Sequence, residues 1–136
     1  MFQNERFQIF GGDGLQLLTE LRNELQSGLD LSGTISPMQL SQERNSIALR
    51  PSPSSDNSFK LDGARTYNFS VQVLTKSESW MVAWNDIQKI HEFLINELDL
   101  SHVTKVDATT NPNFVDSDEQ NNYYFSGIYN LEYERS

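Results

Sequence analysis

The sequence predicts an α+β fold: one mainly antiparallel four-stranded sheet with two helices packed on one face, in the order helix, strand, strand, helix, strand, strand. Three stretches predict it. Over residues 66–75 the side chains alternate, with Tyr67, Phe69, Val71 and Val73 on one side and Asn68, Ser70 and Gln72 on the other, the period of a half-buried strand. From Ser77 the period changes. Trp80, Trp84, Ile87, His91, Leu94 and Leu98 recur at steps of three or four, with Ala83 and Ile90 widening the stripe, which predicts an amphipathic helix. Residues 123–134 alternate again, with Tyr123, Phe125, Tyr129, Leu131 and Tyr133 on one face and Ile128 as the exception. A strand of about ten residues spans about 33 Å, as does a helix of about 22 residues. With so short a link, the helix is expected to fold back over the apolar face of its own strand.

In chain order, residues 1–13 form a lead-in with Phe2, Phe7, Ile9 and Phe10 set too closely for either period. Asp13 then caps a helix expected over 15–26, with Leu15, Leu18, Leu21 and Leu25 inward and Gly28 as its stop. Residues 30–42 read as a loop, with one helical turn at 37–40. A short strand over 46–50 ends at Pro51 and Pro53, because proline cannot donate to a ladder. Residues 51–64, PSPSSDNSFKLDGA, are a long loop of the kind that is usually functional or mobile. Thr75 and Glu78 stand at capping-box spacing before the central helix. A strand is expected over 103–110, then a turn-rich acidic segment over 111–122 entered at Asn111-Pro112. Gly127 interrupts the apolar face of the last strand, where a missing side chain admits a close neighbour or marks a bulge.

Composition bounds the function. The 136 residues suit one domain, and 15 aromatic side chains raise the burial available to a chain only 37% hydrophobic. Without cysteine there is no disulfide framework and no cysteine-ligated zinc. No apolar run reaches membrane-span length, and the first residues lack a signal-peptide pattern, so the expected setting is the cytoplasm or a particle assembled there. A net charge of −9 with no Lys/Arg cluster argues against nucleic-acid binding. The imbalance is uneven, −2 over residues 1–65 and −7 over 66–136.

Motifs for chemistry are nearly absent. The run Phe10-Gly11-Gly12-Asp13-Gly14 lacks the Lys-Ser/Thr ending of a phosphate loop. His91-Glu92 begins like a zincin motif but reaches Ile95 where a second histidine is required. Asp116, Asp118 and Glu119 have the spacing of half a calcium loop, without its central glycine and closing glutamate. No Gly-x-Ser-x-Gly elbow occurs. The reading is therefore of a non-enzyme with no cofactor, metal or catalytic residues.

The succession IALRPSPSS (47–55), LDGARTYNFSVQVLTKS (61–77), a long helix and TTNPNFVDSDEQNNYYFSGIYNLEYE (109–134) resembles the minor capsid or tail-terminator proteins of long-tailed bacteriophages. Its most telling parts are Leu49-Arg50-Pro51, the Asp62-Gly63 turn and Asn111-Pro112-Asn113-Phe114. The first 43 residues depart from the family pattern through their lead-in and longer helix-to-strand loop. The resemblance implies a virion protein of the tail and neck, assembled in the host cytoplasm as a homo-oligomeric ring, a hexamer in the family. Such a ring ends the tail tube and joins it to the head. Its partners are itself, a tail-tube protein and a head-completion or stopper protein; DNA passes only by repulsion, and no membrane is involved. On that reading Arg50 and Arg65 contact acidic positions on the adjacent subunit, and the loop that they bracket, with Pro51, Pro53 and Asp62, meets the tube or connector. Asp116, Asp118 and Glu119 then meet the tube or connector or line the channel, the alternative for all these charges being a solvated loop end. The competing functions are another head-tail or tail-tube subunit of the same particle and a soluble monomeric adaptor or small hydrolase.

Overall fold

Alternation from Thr66 makes a twelve-residue inner strand, and the sheet is laid out around it. The computed structural model describes residues 13–52 and 66–134. Along these run α1 (Asp13–Gly28), β1 (Ile35–Pro37), β2 (Ser46–Pro51), β3 (Thr66–Ser77), α2 (Trp80–Glu92), β4 (Val103–Ser117) and β5 (Tyr123–Glu134). The strands form one five-stranded mixed sheet in the order β1-β2-β3-β5-β4. Only the β1–β2 pair is parallel. The class is thus α+β with two helices, but the sheet has a fifth strand and is not purely antiparallel.

The added strand is β1, in a region expected to be a loop with a helical turn. Ile35 and Leu49 are buried, and Ile35 pairs with Ile47, so a three-residue strand gains a full apolar neighbour. Pro37 is tolerated because β1 lies at the sheet edge, where a missing N–H costs no ladder bond. Instead of a helical turn, Met38 adopts the left-handed region (φ 74°) and donates its N–H to the Leu49 carbonyl at 2.8 Å.

The core occupies one face. Phe69, Val71 and Val73 from β3 and Phe125, Tyr129, Leu131 and Tyr133 from β5 meet Ala83, Ile87, Ile90, Phe93 and Leu94 of the α2 segment in a single cluster. Leu17, Leu18, Leu21 and Leu25 of α1 cover the β1–β2 end of the same cluster. Burying a leucine or isoleucine fully contributes about 1.5–3 kcal/mol, so these residues carry the fold. Gly28 lets the two helices meet: a Cβ there would lie 3.0 Å from the Phe93 ring.

Several local expectations are corrected. Thr75 and Glu78 do not form a capping box, because β3 continues to Ser77. The cap is Ser79, whose hydroxyl accepts from Val82 N–H, while buried Thr75 donates its hydroxyl to the Ala83 carbonyl at 3.0 Å. Trp80 is 53% exposed rather than buried: it is the first residue of the helix, and it is Ala83, at the end of that turn, that faces Thr75 of β3. Trp84 does pack inward, its ring centroid 5.4 Å from that of Phe125. The α-helix is shorter than expected and passes into one π-helical turn, Phe93–Glu97, which keeps Phe93 and Leu94 buried.

The expected break at Asn111-Pro112 is absent: β4 runs through it for fifteen residues. Four register shifts against β5 absorb the irregularity, one of them between Thr110 and Asn113 around Pro112. Another shift, between Val103 and Lys105, brings Val103 and Val106 to the same side of the sheet. In β5 the alternation holds, and the gap at Gly127 admits Tyr129, whose hydroxyl would lie 3.1 Å from an added Cβ. That hydroxyl is 2.7 Å from His91 Nδ1 on α2, so the histidine is a structural partner of a buried phenol. Burial pushes the Tyr129 phenol far above its ordinary range, so it stays protonated.

Gly33 is a second close approach, with an added Cβ falling 2.4 Å from the Asn45 carbonyl oxygen. Backbone cannot swing aside as a side chain can. Gly33→Ala is expected to destabilise the fold by about 1–3 kcal/mol in chemical denaturation, and an unchanged midpoint would show that the loop does not lie against β2.

Candidate functional site

The feature with most to offer a partner is the β4 edge. A sheet edge presents a row of backbone N–H and C=O groups on its outer side. None of the described strands pairs with the outer side of β4, which is fifteen residues long. The opposite edge differs. At β1 the Ile35 N–H donates to Gln26 Oε1 at 2.8 Å, and the Ile35 carbonyl accepts from Arg22 Nε at 2.9 Å. Helix α1 therefore closes one edge of the sheet with its own side chains, and β4 is left as the long open one.

Near its end β4 exposes two consecutive apolar residues, Phe114 (54%) and Val115 (52%). Phe114 stands edge-on to Phe125 with centroids 5.7 Å apart, and Phe125 in turn meets Trp84, so an aromatic row leads from the helix out to the sheet edge. Exposed Trp80 and Met81 begin the same helix. Charge around this edge is one-sided. Residues 103–134 hold Asp107, Asp116, Asp118, Glu119, Glu132 and Glu134 against a single lysine, Lys105, whose Nζ lies 3.4 Å from Asp107.

The three acids of the 111–122 segment have different jobs. Asp118 closes the β4–β5 hairpin: its carboxylate accepts from Tyr124 Oη at 2.7 Å, from Asn122 N at 2.9 Å, from Gln120 N at 3.0 Å and from Asn122 Nδ2 at 3.2 Å. Asn121 takes the left-handed conformation (φ 65°) that completes the turn, as asparagine tolerates well. These donors stabilise the ionised form. The Tyr124 hydroxyl, then the Asn122 amide, hold the Asp118 carboxyl at about 2 against an ordinary 3.8, and the same bond, with burial, pushes the Tyr124 phenol up. Asp116 and Glu119 are exposed, Asp116 accepting only from the neighbouring Ser117 N–H among the bonds described.

The other expected interface residues lie elsewhere. Arg50 and Pro51 end β2, and Arg50 points to the sheet face away from the helices, where its Nε donates to Gln72 Oε1 at 3.0 Å. Gln72 passes the chain on to Ser126 Oγ at 2.9 Å, and Asn113 Nδ2 reaches the Ser126 carbonyl at 3.1 Å. Four strands are thus tied across the outer face by side chains. β3 separates Arg50 from the β4–β5 hairpin, whose turn lies level with Ser77 while Arg50 pairs with Gln72, so Arg50 is not grouped with Asp116, Asp118 and Glu119. Pro53, Asp62 and Arg65, with the 53–65 part of the long loop and the 1–12 part of the lead-in, fall outside the described residues.

Sequence reasoning missed Phe114 and Val115 as surface features because the proline at 112 marked their stretch as a turn. It also missed Asp86, which sits on the buried side of α2 and accepts from the Ser32 N–H at 3.1 Å and from the Ser32 hydroxyl. That carboxylate anchors the α1–β1 connection to the second helix. Among the described residues no three His, Asp or Glu side chains gather to hold a metal, and no helix is long and apolar enough to cross a membrane.

No protein-family model matches the chain, and no curated protein matches it.

The hairpin has a defined pH signature. Because the folded Asp118 value, about 2, lies below the ordinary 3.8, its contribution is complete above pH 3.8 and is lost as pH falls from there through about 2. NMR titration of the Asp118 carboxyl is expected to give a midpoint near 2, with the Gln120 and Asn122 amide signals shifting over the same range. A midpoint at the ordinary 3.8 would contradict the turn.

Proposed function

We propose that this chain is a structural virion subunit that assembles with copies of itself into a ring at the head-proximal end of a long bacteriophage tail, ending the tail tube and joining it to the head connector. The observation that carries the proposal is the asymmetry of the sheet: a fifteen-residue open edge at β4 and an edge at β1 closed by α1. An open edge of that length is a standing site for association. Two unlike edges favour a head-to-tail contact, and head-to-tail contacts close into rings when the rotation per subunit permits. The resemblance over residues 44–134 supplies the particle and the place in it.

The acidic surface fits a channel through which DNA moves. Carboxylates on the inner wall of a ring repel phosphates, so the duplex slides without adhering. Glu119 is exposed and available for that role, while Asp118 is committed to the turn.

Native mass spectrometry and electron microscopy of the protein, alone and with tail tubes, are expected to give discrete rings, six chains of 15.6 kDa in the form the resemblance implies. Single chains under both conditions would refute the proposal, and open-ended filaments would assign the chain to the tube instead. The variant Glu119→Lys is expected to form rings as before but to slow DNA delivery several-fold. Delivery at the normal rate would remove the channel-lining role.

A further inference from the structure

Helix α1 and the β1–β2 end of the sheet leave a pocket of about 180 Å³ lined by Leu18, Thr19, Arg22, Ile35, Pro37 and Leu49. Its wall is mostly aliphatic, with the Arg22 side chain the one charged group. Because Gln26 and Arg22 already hold the Ile35 main chain, a neighbour cannot continue the sheet at that residue by backbone pairing. Contact at this edge has to be made by a side chain entering the pocket.

The opposite edge carries one of matching kind at the same level. Across the ladders Ile35 pairs with Ile47, Ile47 with Thr75, Thr75 with Phe125 and Phe125 with Phe114. Residues paired across a sheet share a face, so Phe114 and the pocket residue Ile35 stand on one rung, on the helix-bearing side, at the two ends of the sheet. A second copy set beside the first along the direction of that rung brings Phe114 up to the pocket without a change of level or face.

We infer that Phe114 of one copy seats in the α1–β1 pocket of the next, and that this knob-and-socket contact is the joint of the ring; the inference rests on the self-assembly reading above. An apolar cavity of about 150 Å³ accommodates a benzene ring, so the pocket volume suits a phenylalanine. Charge selects the same pairing. Asp116, two residues beyond Phe114, is exposed, and Arg22 lines the socket. Setting β4 against β4 of another copy would instead bring two acidic edges together, Asp107, Asp116 and Glu119 of each against its single Lys105, which disfavours a two-fold dimer. Knob and socket lie on different parts of the chain, so the contact is head-to-tail and each added copy leaves one of each unfilled until the ring closes.

The chain contains no cysteine, which makes disulfide trapping a direct test. The double variant Thr19→Cys/Val115→Cys, which keeps the Phe114 side chain, oxidised alone and with tail tubes, is expected to give a ladder of covalent oligomers up to the ring number, with each single variant giving no more than traces of dimer. Phe114→Ser in the otherwise unchanged chain is expected to raise the concentration for half-assembly at least tenfold. Its circular dichroism should be unchanged, since Phe114 is 54% exposed. Rings that form from the double variant without a cross-linked ladder, or from Phe114→Ser at the original concentration, would overturn the socket contact while leaving the ring. Near-complete dimer from Val115→Cys alone would replace it with a β4–β4 contact. Single chains throughout, for the unsubstituted protein as well, would overturn both the joint and the ring.

Discussion

The molecule depends on the closure of α2 over the β3–β5 pair. Val71, Val73, Tyr129 and Leu131 on the sheet and Ala83, Ile87, Ile90 and Leu94 on the helix are all essentially inaccessible to water. Two polar contacts fix how the helix lies. The buried Thr75 hydroxyl donates to the Ala83 carbonyl near the start of α2, and the Tyr129 hydroxyl meets His91 near its end. Each group would cost more unpaired in that interior than the bond returns when made, so they act chiefly against sliding or rotation of the helix. With α2 set in this way, α1 is left the β1–β2 end of the same face, and Asp86 binds Ser32 to hold the connection between them.

From that arrangement follows the difference between the two edges. The helix that covers the β1–β2 end also sends Gln26 and Arg22 over the rim to take up the Ile35 main chain. Nothing comparable covers β4 among the described residues. What protects β4 is intrinsic: Pro112, four register shifts and a surface of acids make it a poor template for indiscriminate pairing while keeping it open to a partner of the right shape. The side chains tied across the outer face, from Arg50 through Gln72 and Ser126 to Asn113, stiffen the sheet between the two edges.

Most of the layers were legible in the sequence, because β3, β5 and the helices are half-buried and write their period into the residue types. Phe69, Val71, Leu131 and Ile87 fall where the alternation and the helical stripe put them. The errors share a physical cause. Proline ends a central strand but not an edge one, and local pattern does not tell which strand is at the edge. Hence Pro37 hid β1, and Pro112 hid the second half of β4 with Phe114 and Val115. The Thr75–Glu78 spacing fitted a cap, but the pairing of Ser77 with Tyr123 carried the strand past it. Of the expected interface residues, Asp118 proved to be the keystone of a turn, a role that its spacing from Asn122 and Tyr124 could have suggested. Asp86 gave no warning, since a lone acid on a helix reads as solvated.

The fold is a core clamped by α2, with one sheet edge closed and the other open among the described residues. Amide hydrogen exchange followed by NMR tests this most directly, because it reads each strand separately. In the isolated chain the β3 and β5 amides are expected to exchange slowest. Along residues 103–117 of β4, amides bonded to β5 should be protected and those facing outward should exchange nearly as in an unfolded chain. Uniform protection along β4, or β3 amides exchanging as fast as those of the edge, would contradict it.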